Sequence, residues 1–460
     1  MFTALLERVA ARWSRPRQTP RRSLPTMGPR VAAPAPAPAP ARVERPATLT
    51  GAAPSTAASL AGLGARRPLL SADGSLAGFE FRLSETLMQR AQGPAQVAHL
   101  QAMLLAMRAT ALGGRVGLTE LPASWLLKPQ AAPLLCPGMM ICLRRDDTSI
   151  EPAVFRRAVE AVRAGGAHAG WAADPLGGVG WIDPVPDFLV LRPADDAAVG
   201  PTLQAIKNAA ASNPGLCLMA TDLPGLEVIE LAFKLGVRFA SGSLSAASEP
   251  EAAPPISPEI QRLVQLLNRL LREEDPARLA TDIKRDVSLS LQLLRHVSTV
   301  RYARGRTIDT VEAAVLLIGR DELYRWLSRV LVRSAGGRRT SRALQEVTLA
   351  RARLLELLAA QRGEPHPASL FTLGLASMLP TLLNTSVKEA LGPMELVPEA
   401  RAALLEMNGP WLGYLELARA LERQDFDFAD GLAQCFGGLA FVLEQSEQAW
   451  AWTAEQDESA

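Results

Sequence analysis

The chain has 460 residues, 48% of them hydrophobic, enough to bury a core in each of two or three domains. Its 49 Lys and Arg stand against 47 Asp and Glu, so a formal charge of +2 gives no chain-wide pull toward nucleic acid or anionic lipid, and neither is expected as a partner. No apolar run reaches the ~18 residues that cross a bilayer, and Cys136, Cys142, Cys217 and Cys435 form neither a CxxC pair nor a disulfide framework, so they read as small buried hydrophobes.

Residues 1–62 open with Leu5, Leu6, Val9 and Trp13, then turn to Pro, Ala and Arg, including the repeat from Pro34 to Pro40. Such a composition cannot build a core and predicts a disordered tail. The order of apolar and basic residues is not that of a secretory signal, and a cytoplasmic location is expected.

Residues 63–245 alternate short apolar runs with helical periods. Strands are predicted at Gly78 to Phe81, Met139 to Leu143, Phe188 to Leu191 and Leu216 to Met219. Between them, Pro152 to Ala164 sets Val154, Phe155, Ala158, Val159 and Val162 on one stripe, and Gly225 to Leu235 does the same with Leu226, Ile229 and Phe233. Helices with one apolar face, alternating with fully apolar strands, predict a parallel α/β fold.

A linker over residues 246–256, rich in Ala, Glu, Ser and Pro, precedes an all-α domain over residues 257–460. Ser257-Pro258 and Asp275-Pro276 each pair a capping side chain with proline at the first helical position. Asp286 opens a third helix, and Asp309 a fourth that Gly319 ends.

The run Asp286-Val287-Ser288-Leu289 to Arg295, the later Tyr302, Thr307-Ile308-Asp309-Thr310-Val311, Ile318-Gly319 and Leu373-Gly374-Leu375 resemble the HDOD domain, a non-catalytic relative of HD phosphohydrolases. Where that family carries Asn-Ser-Ala, this chain reads Ser298-Thr299-Val300. Ahead of it, Arg67-Pro68-Leu69, Gly78-Phe79-Glu80, Leu235-Gly236-Val237 and Ser241-Gly242 resemble a degenerate EAL domain. The resemblance implies a TIM-like α/β barrel followed by an HDOD helical bundle.

An active EAL enzyme cleaves cyclic di-GMP with two divalent ions held by several carboxylates, and a lysine near the nucleophile. Only Glu80 and Asp174 remain as remnants of that set, with Cys142, Val190 and Ala220-Thr221 near its other positions. In the helical half, Ser377-Met378 stands where the HD metal-binding pair would be, and no histidine precedes an aspartate. No catalytic, metal or cofactor residues are therefore expected, and no enzymatic activity.

The surface candidates are Arg338, Arg339 and Arg342, within an arginine cluster around Ser334 to Gly337, and Trp450 and Trp452 near the end of the sequence. Two such tryptophans suggest docking, onto the domain itself or onto a partner. The expected function is a signalling scaffold that binds another signalling protein; the alternative is a cyclic di-GMP receptor or phosphodiesterase using the EAL-like pocket.

Overall fold

Eight strands, four of them the short apolar runs read from the sequence, close into a barrel in the computed structural model, which describes residues 65–82, 94–144, 152–173, 185–245, 255–298, 310–336 and 338–458. The expected tail, most of the linker, Asp174, Tyr302 and Thr307 to Asp309 lie outside the described residues.

β1 (Ala65–Ser71) and β2 (Leu76–Arg82) form an antiparallel hairpin. β3 (Val116–Pro122), β4 (Met139–Arg144), β5 (His168–Ala172), β6 (Phe188–Leu191), β7 (Cys217–Leu223) and β8 (Phe239–Gly242) then follow in parallel. β1 closes the ring by pairing antiparallel with β8. The α/β class is as expected, but the first strand runs against the rest.

The longer helices among the described residues, α1 (Pro94–Leu112), α2 (Pro152–Ala164), α3 (Val199–Ser212) and α4 (Leu226–Lys234), accompany the strands. Strand alternation sends one set of side chains toward these helices, as where Trp171 of β5 meets Phe155 of α2 edge-on at 5.5 Å. The other set, Leu69, Leu118, Met140, Cys142, Phe188, Val190 and Met219, forms a separate cluster that fills the barrel.

The described residues of the second part form helices and no strand. Ser257 caps α5 (Pro258–Leu271), Asp275 caps α6 (Pro276–Lys284) and Asp286 caps α7 (Val287–Val297), each accepting a backbone N–H from the first turn. In α8 (Val311–Ser334) the capping oxygen is that of Thr310, which accepts from Ala313. Gly319, at φ 73°, is non-helical and breaks this run at a kink into two helical segments, so the first stops where the sequence placed its end.

α9 (Ser341–Arg362) and α10 (Pro367–Leu383) lie together at the centre, with α11 (Leu412–Arg423), α12 (Phe426–Ala433) and α13 (Leu439–Glu458) around them. Their approach explains Gly374, because a Cβ there would stand 2.5 Å from Ala352 Cα. Among the described residues no single helix is long and apolar enough to cross a membrane. Cys136 and Cys142 are buried as expected, whereas Cys435 is exposed and Cys217 half-buried.

The two parts share one continuous apolar core and a set of polar contacts. Arg338 pairs with Glu227 and Glu230 of α4 at 3.6 and 3.7 Å, and Thr340 donates to Glu230 at 2.9 Å. Arg115 reaches Glu346 of α9 at 2.7 Å, and Arg66 of β1 pairs with Glu447 of α13.

Candidate functional site at the barrel mouth

Parallel barrels gather functional side chains at the carboxyl ends of their strands. Here that end holds a network of charges. Antiparallel register sets Arg67 opposite Glu80, and period-two alternation puts Arg82 on the same face as Glu80. Glu80 Oε2 accepts from Arg67 Nη2 at 2.5 Å, Arg67 Nε at 2.9 Å and Ser241 Oγ at 2.5 Å, while its Oε1 accepts from Arg82 Nε at 2.9 Å. Asp222 accepts from Arg67 Nη1 at 2.8 Å and Arg82 Nη2 at 2.6 Å. Beside them Arg192, just beyond β6, pairs with Glu120 of β3.

Arg67 and Glu80 are only 2% and 4% exposed, so neither charge is solvated by bulk water and each depends on the other. Burial alone would push the Glu80 carboxyl up, but the Arg67 and Arg82 guanidinium groups outweigh it and hold the carboxyl below the ordinary glutamate value. Burial likewise opposes ionisation of Asp222, and the same two arginines bring it down to about 2. Beneath this layer Cys142, 3% exposed, has its thiol pushed up to about 12, first by burial and then by Glu120.

Among the described residues the mouth brings together three carboxylates, Glu80, Glu120 and Asp222, where the sequence reading gave Glu80 and Asp174. Glu80 is where it was expected, Asp174 lies outside the described residues, and Glu120 and Asp222 were missed. Glu120 and Arg192 were legible: each lies two residues beyond an inward apolar residue, Leu118 or Val190. Asp222 was not. Simple alternation from Met219 and Thr221 turns it outward, but the β7–β8 register breaks between Ala220 and Leu223, and Asp222 takes φ 59°. Cys142 and Val190, at the expected glutamate and lysine positions, are packed inside the barrel. A cavity of about 350 Å³ opens beside the cluster, bordered by Arg192, Asp195, Asp196 and Asp222.

Among the described residues these donors do not fit the divalent pair that an EAL enzyme requires. Both Glu80 oxygens already accept hydrogen bonds, and the charges of Glu80 and Asp222 are already met by the Arg67 and Arg82 guanidinium groups. The helical half shows a parallel arrangement. Ser377 accepts from Arg351 Nη1 at 2.9 Å, and Arg351 donates through Nε and Nη2 to Glu422 at 2.7 and 2.5 Å, with Met378 buried alongside. In both places arginine supplies the positive charge.

The surface candidates make contacts within the chain. Trp450 meets Phe79 of β2 edge-on at 4.8 Å, and Trp452 meets Phe371 of α10 at 6.1 Å with Arg353 over its ring. Arg338 engages α4, Arg339 donates to the Ala72 carbonyl at 2.7 Å, and Arg342 is exposed.

With this geometry in hand, the helical half can be placed among known proteins. Residues 253–394 match the HDOD domain. The order expected from the sequence, an α/β barrel ahead of an HDOD domain, is the order of this chain. A Bacillus subtilis (strain 168) protein, the uncharacterized YuxH, is 27% identical over 216 residues, 46% of this chain and 53% of that protein. The Vibrio cholerae cyclic di-GMP phosphodiesterase CdgJ is 29% identical over 195 residues, 42% of this chain and 44% of that protein. The matched region therefore spans about half the length of each relative. The Xanthomonas citri FimX EAL domain, solved with c-diGMP, covers 40% of this chain and 87% of its own at 15% identity and a TM-score of 0.32.

One expectation is corrected by these relatives. The sequence reading set enzymatic activity aside because ligand residues are missing, yet a protein 29% identical over 195 residues is named a phosphodiesterase. Missing ligands are therefore no ground for excluding activity here.

Proposed function

We propose that this chain is a regulator in cyclic di-GMP signalling, in which the barrel mouth takes the cyclic dinucleotide and the HDOD bundle conveys its state to another signalling protein. The observation that carries this reading is the HDOD match directly following a barrel with a charged mouth. Arg192 lines the cavity beside the cluster and Arg82, also partly exposed, shares Asp222 with it, and guanidinium is the side chain best shaped to grip two phosphates. Their present partners are carboxylates, so a dinucleotide binds by exchanging one anion for another. Exchange of that kind rearranges the mouth, as a signal requires.

A second reading, hydrolysis of the dinucleotide, is favoured by the name of the Vibrio cholerae relative. Calorimetric titration of the full chain with cyclic di-GMP and magnesium or manganese separates the two. Saturable heat that Arg192→Ala weakens supports the regulator; continuing heat with linear dinucleotide appearing supports hydrolysis. A flat trace removes the nucleotide from both readings.

A further inference from the structure

The strand that carries Glu80 is gripped by the helical bundle at three points along its length. At its start, the β1–β2 turn enters the N-terminus of α9: the Ala343 amide donates to the Gly74 carbonyl at 3.1 Å and Arg339 Nε donates to that of Ala72 at 2.7 Å. Gly74 has φ 89°, and a Cβ there would fall 1.7 Å from the Arg339 carbonyl oxygen, so no other residue fits this turn. In its middle, Phe79 takes the edge of Trp450 from α13. Near its end, Gln424, just past α11, donates through Nε2 to the main-chain carbonyl of Glu80 itself at 3.3 Å.

Glu80 in turn ties β2 to β1 through Arg67 and to β8 through Ser241, and Asp222 joins the same arginines from β7. A displacement of β2 therefore strains the contacts that Glu80 and Arg82 make across the mouth. We propose that β2 is the transmission element between the two halves, and that the bundle holds the mouth of the barrel shut by clamping this strand through Gly74, Trp450 and Gln424. The inference stands apart from the nucleotide reading, because it concerns the chain alone.

Cys142 supplies the readout. It lies inside the barrel below the charged layer, while Cys136 is buried elsewhere and Cys435 is exposed. Maleimide labelling of the full chain at pH 8, quantified for each cysteine by peptide mass spectrometry, reports opening of the mouth apart from unfolding of the barrel. Removing one contact of this size raises local opening about tenfold. Trp450→Ala is therefore expected to speed labelling of Cys142 by that factor with Cys136 unchanged, and Gln424→Ala to speed it by a smaller factor. Cys435 is labelled at one rate in all three proteins.

Equal Cys142 rates in wild type and both variants would overturn the proposal. So would a rise shared equally by Cys136 and Cys142, which is the signature of global destabilisation. Should Trp450→Ala fail to fold, Gln424→Ala alone decides, since that side chain gives up a single hydrogen bond.

Discussion

In the barrel mouth, two guanidinium groups are divided between two carboxylates, one of which also accepts from a serine, and the five residues come from four strands, whereas in the bundle one guanidinium, that of Arg351, is held by Glu422 and Ser377 from two neighbouring helices. Both arrangements bury an arginine. They differ in what the buried charge joins: the mouth cluster bridges residues 155 and 161 positions apart, and the bundle cluster bridges residues at most 71 apart. The mouth cluster is thus a closure of the whole barrel, while the other is a local tie between helices already packed by apolar surface.

The most severe break of this comparison is Glu80→Ala. It leaves Arg67, at 2% exposure, with only the half-exposed Asp222 as acid partner, and removing one member of a buried pair costs about 3–5 kcal/mol. Arg351 is as buried as Arg67, but its partner Glu422 is 17% exposed against 5% for Glu80, so Glu422→Ala opens a path for water to the guanidinium and the cost falls to about 1–3 kcal/mol. Urea midpoints of the two variants measure the difference. Equal losses would mean that the mouth is no more tightly closed than the bundle.

Gly374→Ala probes the bundle by shape instead of charge. The added methyl stands 2.5 Å from the Ala352 backbone, and overpacking of this kind costs about 1–3 kcal/mol. Amide exchange is expected to quicken in α9 and α10 while β3 to β6 keep their protection. Loss of protection across the barrel as well would show that the halves unfold as one unit.

How much of this was legible in the sequence follows from the distance over which each signal acts. The caps of α5, α6 and α7 were readable because a capping side chain and its N–H are within three residues of one another. Gly374 stood out as a residue and was explained only when Ala352 appeared beside it. β1 was hidden by its arginines and proline, and β5 by the composition His-Ala-Gly-Trp-Ala, neither of which reads as an apolar strand. Glu80 was found from its local motif, but its meaning was not, since Arg67 becomes its partner through hairpin register and Asp222 joins through a break in β7. Trp450 and Trp452 were flagged as anchors, and tertiary structure alone shows that their sockets are Phe79 and Phe371.

The smallest expected effect separates mouth from clamp by pH. Asp222 is held at about 2, below its unfolded value of about 3.9, so its contribution is whole above pH ~4 and is lost as pH falls toward 2. Glu447, which faces Arg66 across the domain contact with Arg115 and Glu346 bordering the same cavity, is displaced the other way. Burial raises its carboxyl to about 7, and Arg66 offsets this only in part. A carboxyl raised in the folded state binds its proton more tightly there, so its contribution is whole below its unfolded value and is lost as pH rises through 7. Acidification from pH 8 to 5 is therefore expected to firm the seat of α13 on the barrel, and further acidification from 4 to 2 to loosen the mouth. Thermal melts across both windows, set against those of Glu447→Gln and Asp222→Asn, test the assignment: the first variant flattens only the upper window, the second only the lower. If Glu447→Gln leaves the upper window unchanged, another group governs it, and the contact between α13 and β1 is not where the two halves sense pH.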